Sequence, residues 1–106
     1  MTHISYKSAV IDETNTADKE IVAAVSGVII NVHAFVITAT AAGTYRFESG
    51  AGGTALTGVM NFNTDDTIVF PFSEVPWFAT AAGSSLSMEL AVTGDLDGVL
   101  IYSEAD

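Results

Sequence analysis

Alternation of apolar and polar residues with a period of two is the main pattern along the chain. Residues 85–93 (SLSMELAVT) carry a large apolar side chain at every second position, and residues 44–49 (TYRFES) alternate in the same way, with Glu48 predicted to face water. Successive side chains of a strand point to opposite faces, so this period is typical of half-buried strands. Residues 98–104 (GVLIYSE) are apolar on both faces, as expected of a strand covered on both sides. No long stretch shows helical spacing, and the pattern predicts an all-β protein.

Glycine, proline and Asp/Asn clusters interrupt these runs at short intervals and mark turns. A single layer of strands would expose a face of Leu, Met and Phe, whereas two packed sheets bury it. The predicted fold is a single-domain antiparallel β-sandwich over residues 1–106, jelly-roll-like, with residues 1–12 as an arm or an edge strand. The turns delimit about eight strands, at residues 4–11, 20–25, 28–41, 44–49, 54–62, 67–72, 85–93 and 98–104.

The glycine-rich stretch Gly50–Gly53 invites comparison with a phosphate-binding loop. A Walker loop needs a lysine followed by Ser or Thr after its second glycine, and a helix whose N-terminus faces the phosphates. Here Thr54 follows directly, no lysine lies beyond Lys19, and a strand is predicted next. Glycine also supplies the positive φ angles of tight connections between strands. The stretch is therefore predicted to be a hairpin turn.

Composition changes this picture in one respect, the expectation of partners. Thirteen Asp and Glu residues against three Lys and Arg give a net charge of −10, a field that repels nucleic acid and anionic membranes. Only 15% of residues are charged and 49% are apolar, and this apolar fraction exceeds what one small core needs. It predicts burial between subunits.

The absence of cysteine excludes disulfides and thiolate chemistry. Residues 21–45 are uncharged and long enough to span a bilayer, but their Gly27, Asn31 and His33 favour two strands.

Acidic residues offer candidate chemistry at two kinds of place. Residues 65–66 and 95–97 carry Asp pairs in predicted turns, where they could bind calcium or simply form the turns. They lack the further acidic residues of an EF-hand, so the turn interpretation is favoured. Glu48 and Glu89, on outward faces, could form a glycosidase pair only in a cleft that nothing in the sequence indicates.

Histidine and aromatic residues supply the remaining candidates. His3 and His33 have no metal-ligand spacing, and His33 is predicted to share a sheet face with Phe35 at an interface or sheet surface. Trp77 and Phe78 lie in a predicted connection, where they could form a sugar-binding platform, close the sandwich or contact another subunit. The last two are favoured. No catalytic residue, cofactor or metal site is predicted.

Several sequence blocks stand out along the chain, beginning at IVAAV (residues 21–25), and the most specific are SGAGGTALTG (49–58) and WFATAAGSSLSMEL (77–90). These blocks resemble small virion structural proteins of tailed bacteriophages, in particular capsid decoration (cement) proteins. The resemblance extends over residues 21–104. The chain departs from it at residues 27–31, GVIIN, where family members often carry basic residues.

The resemblance implies a noncatalytic protein that stabilises a phage head by binding junctions between major capsid protein subunits. It further implies a homotrimer on the capsid exterior, made in the host cytoplasm, with no nucleic-acid or membrane partner. Alternatives are a head-fibre or tail component, and a carbohydrate- or receptor-binding module. The candidate interface residues are Tyr6, Lys7, His33, Phe35, Trp77 and Phe78.

Overall fold

The computed structural model describes residues 4–14, 17–92 and 94–106, and it is all-β. Residues 1–3, including His3, lie outside the described residues. The described part contains ten strands and no helix, hence none that is long and apolar enough to cross a membrane. The strands are β1 (Lys7–Thr14), β2 (Ala17–Val22), β3 (Ile29–Ala39), β4 (Gly43–Ser49), β5 (Thr54–Ala55), β6 (Met60–Phe62), β7 (Thr67–Phe70), β8 (Phe78–Ala79), β9 (Leu86–Val92) and β10 (Asp95–Ala105).

Two antiparallel sheets pack face to face. Sheet A has the order β1-β10-β3-β7, with β8 also paired to β3, and sheet B has the order β2-β9-β4-β5, with β6 also paired to β4. The pairs are nested: β1 with β10, β2 with β9, β3 with β7 and β8, and β4 with β5 and β6. A long hairpin rolled up in this way is a jelly roll. The predicted β-sandwich is confirmed. One of its eight predicted strands, residues 54–62, is broken into the short strands β5 and β6, and β8 forms in the connection predicted between residues 72 and 85.

The core lies between the sheets and follows the period-two pattern. In β9 the four alternate residues Leu86, Met88, Leu90 and Val92 are buried, as predicted. Tyr45 of β4 and Leu100 of β10 face inward from the two sheets. Burying such side chains contributes about 1.5–3 kcal/mol each, which is why alternation specifies the inner face so strongly.

A β-bulge in β3 corrects the predicted face of Phe35. Ile101 pairs with Ala34 and Tyr102 with Val32, so His33 has no register partner on β10. One extra residue reverses the alternation, because a strand has a side-chain period of two. Phe35 therefore points into the core, only 2% exposed, and does not share a face with His33.

Glycine is required at two places, a tight turn and a close approach between two strands. Gly50 and Gly52 have φ angles of 81° and 71°, and the amide of Gly53 donates to the Gly50 carbonyl at 2.9 Å. This confirms a hairpin turn, here between β4 and β5. In the centre of sheet A, a Cβ on Gly98 would lie 1.9 Å from the carbonyl oxygen of Val36, so only glycine fits there.

Strand boundaries differ from the predictions mainly at turns. The predicted turn at residues 12–19 is shorter, because β1 extends to Thr14 and β2 begins at Ala17; residues 15–16 lie outside the described part. Aspartates 95 and 97, predicted in a turn, begin β10. The connection that contains Trp77 ends in the two-residue strand β8. Residues 1–12 were predicted to form an arm or an edge strand, and those from Lys7 onward belong to the edge strand β1.

Candidate functional site

The candidate interface residues fall into three groups, of which the first surrounds His33. The bulge turns the His33 side chain away from the core, yet it is only 2% exposed. Tyr6 contacts its ring edge-on at a centroid distance of 5.0 Å, and Phe72 stacks on it at 5.9 Å. Tyr6 and Phe72 also contact each other at 5.1 Å, so three rings form one aromatic cluster at the end of sheet A.

Both ring nitrogens of His33 are hydrogen-bonded. Nδ1 lies 2.8 Å from the Ser73 carbonyl oxygen, which can only accept, so Nδ1 donates. Nε2 lies 2.7 Å from Oγ of Ser103, and the ring and the hydroxyl form a hydrogen bond. Among the described residues, no carboxylate is hydrogen-bonded to this serine–histidine pair, as a catalytic triad would require. Both side chains are buried, that of His33 against the rings of Tyr6 and Phe72. The hydrogen bond from Nδ1 of His33 to the Ser73 carbonyl holds the backbone of residue 73 against the bulge.

Lys7 of β1 lies beside this cluster. It forms an exposed ion pair with Glu104 of β10, and this pair links the two neighbouring strands. The hydrogen bond that Lys7 donates to Glu104, followed by the charge of Glu104, raises the pKa of Lys7. The other two cations of the chain are also paired, Lys19 with Glu13 at 3.9 Å and Arg46 with Glu89 at 3.0 Å. Each of the three Lys and Arg side chains is thus paired with a carboxylate, and the acidic excess remains on the rest of the described surface.

The second group, Phe35 and Phe78, belongs to the core. The Phe35 ring lies 4.3 Å from Phe70 and 5.1 Å from Phe47, and Phe78 lies 4.9 Å from Phe47. Phe78 therefore helps to close the sandwich, one of the roles considered for it. Phe35 cannot provide a contact surface while the sandwich is closed around it.

The third group is Trp77, a residue that is 47% exposed. Its Nε1 donates to the Pro71 carbonyl oxygen at 2.9 Å, and its ring meets Phe70 edge-on at 5.1 Å. Its backbone amide donates to the Val32 carbonyl at 2.8 Å. Trp77 thus fixes both ends of the connection between β7 and β8 while leaving part of its ring open.

Replacing Trp77 with alanine is expected to lower the free energy of unfolding by about 1–2 kcal/mol, because one hydrogen bond and one aromatic pair are lost. Urea unfolding measures this change. A Trp77→Phe variant is the control, since it keeps the ring and loses only the indole hydrogen bond, and it should lose less. An unchanged unfolding midpoint for the alanine variant would contradict the anchoring role.

A row of valines on the outer face of sheet A is a feature that sequence reasoning did not identify. Val10 of β1 pairs with Val99 of β10, Val99 with Val36 of β3, and Val36 with Val69 of β7. Val10, Val69 and Val99 are 73%, 61% and 37% exposed. With strands about 4.8 Å apart, the row is about 14 Å long. The sequence signal for the valine row lay in residues 98–104. Both faces of this strand are apolar, although the chain covers only one of these faces.

A shallow depression of about 220 Å³ adjoins the valine row. Ala34, Pro71 and Ile101 contribute to its lining, together with Val36 and Val69 of the row. None of the described residues that line it carries a charge. Antiparallel sheets commonly turn a polar face to water, so an uncharged apolar face of this kind indicates a contact surface.

Of the acidic residues predicted in turns, Asp66 belongs to a turn as expected, whereas Asp97 lies in a strand. The carboxylate of Asp66 accepts from the Asn63 amide at 2.7 Å, which is a turn-stabilising role. Asp97 pairs with Asp12 across β1 and β10, and burial, followed by the adjacent Asp12, raises the pKa of Asp97. Neither place gathers three metal-ligating groups within the described residues.

Glu48 departs most from prediction. It was expected to face water, but it is fully buried on the outer face of sheet B. Glu89 is exposed on the same face and pairs in register with Asp18 of β2 and Arg46 of β4. Sequence reasoning did not identify Asp18, because only the β2–β9 pairing brings it to this place.

Comparison of the chain with protein-family models, curated proteins and solved structures finds no match.

Proposed function

We propose that this protein is a noncatalytic virion protein that assembles as a homotrimer and decorates the exterior of a tailed-phage head. The observation that carries the proposal is the exposed valine row on sheet A. A protein that clamps a shell stabilises the state it binds by adding buried area at a junction, and it needs no reacting group. Burial of the valine row against other copies of the chain supplies such area.

Charge supports another copy of this chain as the occupant of the valine row. The chain carries a net charge of −10, so two copies repel each other wherever acidic surfaces meet. The row and its depression are free of charged side chains. The next row toward one end of the sheet contains Asp12 and Asp97, which would form an acidic rim around the apolar contact. Self-association through the row therefore buries apolar area and keeps the carboxylates solvated.

The outer edge of sheet A supports the contact with the capsid. Among the described strands, β1 pairs only with β10, so its other side presents backbone groups that can add to a partner's sheet. Tyr6, which is 41% exposed, and Lys7 lie at the beginning of this edge. We assign this edge to the major capsid protein.

A substitution in the valine row tests the trimer. Val69→Asp is expected to shift the sedimenting species from trimer to monomer without unfolding it, because residue 69 is exposed in the isolated chain. Val59→Asp is the matched control, since Val59 is 59% exposed and lies beyond β5, in the part of the chain that joins the strands of sheet B. A wild-type protein that sediments as a monomer at all concentrations, or a trimer unaffected by Val69→Asp, would contradict the assigned contact.

Co-sedimentation with heads assembled from the cognate major capsid protein tests decoration itself. Wild-type protein is expected to bind at a fixed ratio and to raise the temperature at which the heads disrupt. Failure to bind heads would remove the decoration role even if the trimer is present.

A second candidate is a carbohydrate- or receptor-binding module, which the half-exposed ring of Trp77 favours because such rings stack on sugars. Here Trp77→Ala would abolish glycan binding while the chain stays folded. Glycan binding that survives this substitution, or its absence from wild-type protein, would exclude the candidate.

A further inference from the structure

Three carboxylates converge on the outer face of sheet B. Asp18 of β2 pairs with Glu89 of β9, and Glu48 of β4 lies one row along, opposite Ser87 of β9. Each of the three acidic side chains offers an oxygen within 4.8 Å of the others. Like charges so close on one sheet face are destabilising unless something neutralises them.

Glu48 distinguishes this place from an ordinary acidic surface. The residue is 0% exposed, and neither of its carboxylate oxygens has a hydrogen-bond partner among the described residues. Buried polar groups in native proteins are almost always hydrogen-bonded, because an unpaired buried charge is costly. An unpartnered buried carboxylate directed at two further carboxylates points to a bound cation.

Nearby protein cations do not meet this need. Arg46 lies in the row of Asp18 and Glu89, and its Nη2 donates to Oε2 of Glu89 at 3.0 Å, not to Glu48. Three carboxylates and one guanidinium leave a formal charge of −2. One divalent cation balances that charge.

We propose that Asp18, Glu48 and Glu89 bind a divalent cation of the calcium class. Calcium takes oxygen ligands at about 2.3–2.6 Å, so oxygens around one ion lie no more than about 5 Å apart. The three oxygens here lie within 4.8 Å of one another and meet that limit. The cluster offers only hard oxygen donors, which favour calcium over zinc or copper. Water or backbone oxygens complete the coordination shell.

The electrostatics agree with this geometry. Burial raises the pKa of Glu48 most, and Asp18 raises it further through a hydrogen bond between the two carboxyl groups and through its charge. The charge of Glu89 acts in the same direction, and Arg46 opposes them. The same surroundings that disfavour a bare carboxylate favour one that is bound to a cation. The site joins β2, β9 and β4, so the ion would tie the edge strand β2 to the centre of sheet B. It lies on the sheet opposite the valine row, and the inference does not depend on the decoration role.

Thermal unfolding of the purified protein near pH 7, in chelator and then in calcium chloride, tests the site. Calcium at 100 times its Kd is expected to raise Tm by about 10 °C or more. Glu48→Gln removes the buried ligand charge and should abolish this shift, and Asp18→Asn should weaken it. Asp65→Asn is the matched control, because Asp65 is an exposed turn residue outside the cluster and loses the same charge.

The outcomes separate clearly. A calcium-dependent rise that survives in Asp65→Asn and disappears in Glu48→Gln supports the site, and calorimetric titration should then give one ion per chain. No change in wild-type Tm up to about 10 mM calcium, or equal loss in the control, overturns it. A proton shared by Glu48 and Asp18 in place of the ion would appear as stabilisation by acid with no response to calcium.

Discussion

Replacing Phe35 with alanine is expected to lower the free energy of unfolding by about 3–5 kcal/mol, the range for a large aromatic side chain removed from a closed core. Phe35 is 2% exposed and contacts Phe70, Phe47 and Phe78. Its removal leaves a cavity between the sheets that β3 and β7 cannot fill without moving. Denaturant unfolding with a constant m-value measures the loss.

Phe72→Ala is the matched control, because Phe72 is 53% exposed and touches only the aromatic cluster of Tyr6 and His33 among the rings described. It should cost less than about 1.5 kcal/mol. If Phe35→Ala changed oligomeric state but not stability, Phe35 would be an interface residue and the bulge at His33 would be misplaced.

Replacing Glu48 with glutamine is expected to stabilise the metal-free protein at neutral pH by about 1–3 kcal/mol, because it removes a buried, unpaired charge. Glutamine has nearly the same shape, and its amide can donate to the carboxylate of Asp18. Urea unfolding in the presence of chelator measures the gain. Glu20→Gln is the control, since Glu20 is exposed on the same sheet face, opposite Ser87, and should change stability by no more than about 0.5 kcal/mol.

The gain from Glu48→Gln should depend on pH. The pKa of Glu48 is raised in the folded protein by burial and by Asp18 and Glu89, with Arg46 acting in the opposite direction. Between the unfolded and the folded pKa values, the native state binds more protons than the unfolded chain, so stability falls as pH rises. Glutamine does not titrate, and the two proteins should approach equal stability in acid. A gain that is constant with pH would show that the charge of Glu48 is not its source.

Alternation along the chain was sufficient to predict the all-β class and most of the core. Leu86, Met88, Leu90, Tyr45 and Phe47 are all buried, because a period of two leaves only one choice of inner face once a strand is assumed. The glycine-rich hairpin was predictable for a similar reason, since positive φ angles are local in the chain. Local patterns carry this information without any knowledge of distant residues.

The candidate site could be predicted only in part. Tyr6, His33 and Trp77 were identified as unusual, but the bulge that separates His33 from Phe35 depends on how β3 pairs with β10. Asp18 and Glu89 lie 71 positions apart in the chain and meet only through the register of β2 on β9. Nothing local in either segment indicates that contact.

The sequence by itself determined the layered all-β architecture and the large apolar side chains of its core, because burial follows a pattern that neighbouring residues already contain. The tertiary structure alone decided which residues share a surface. Register and one bulge align the valine row across sheet A, turn Phe35 inward and bury Glu48 beside Asp18 and Glu89. These arrangements arise from pairings between distant strands, and a shift of one residue in any of them would reverse the face that each side chain occupies.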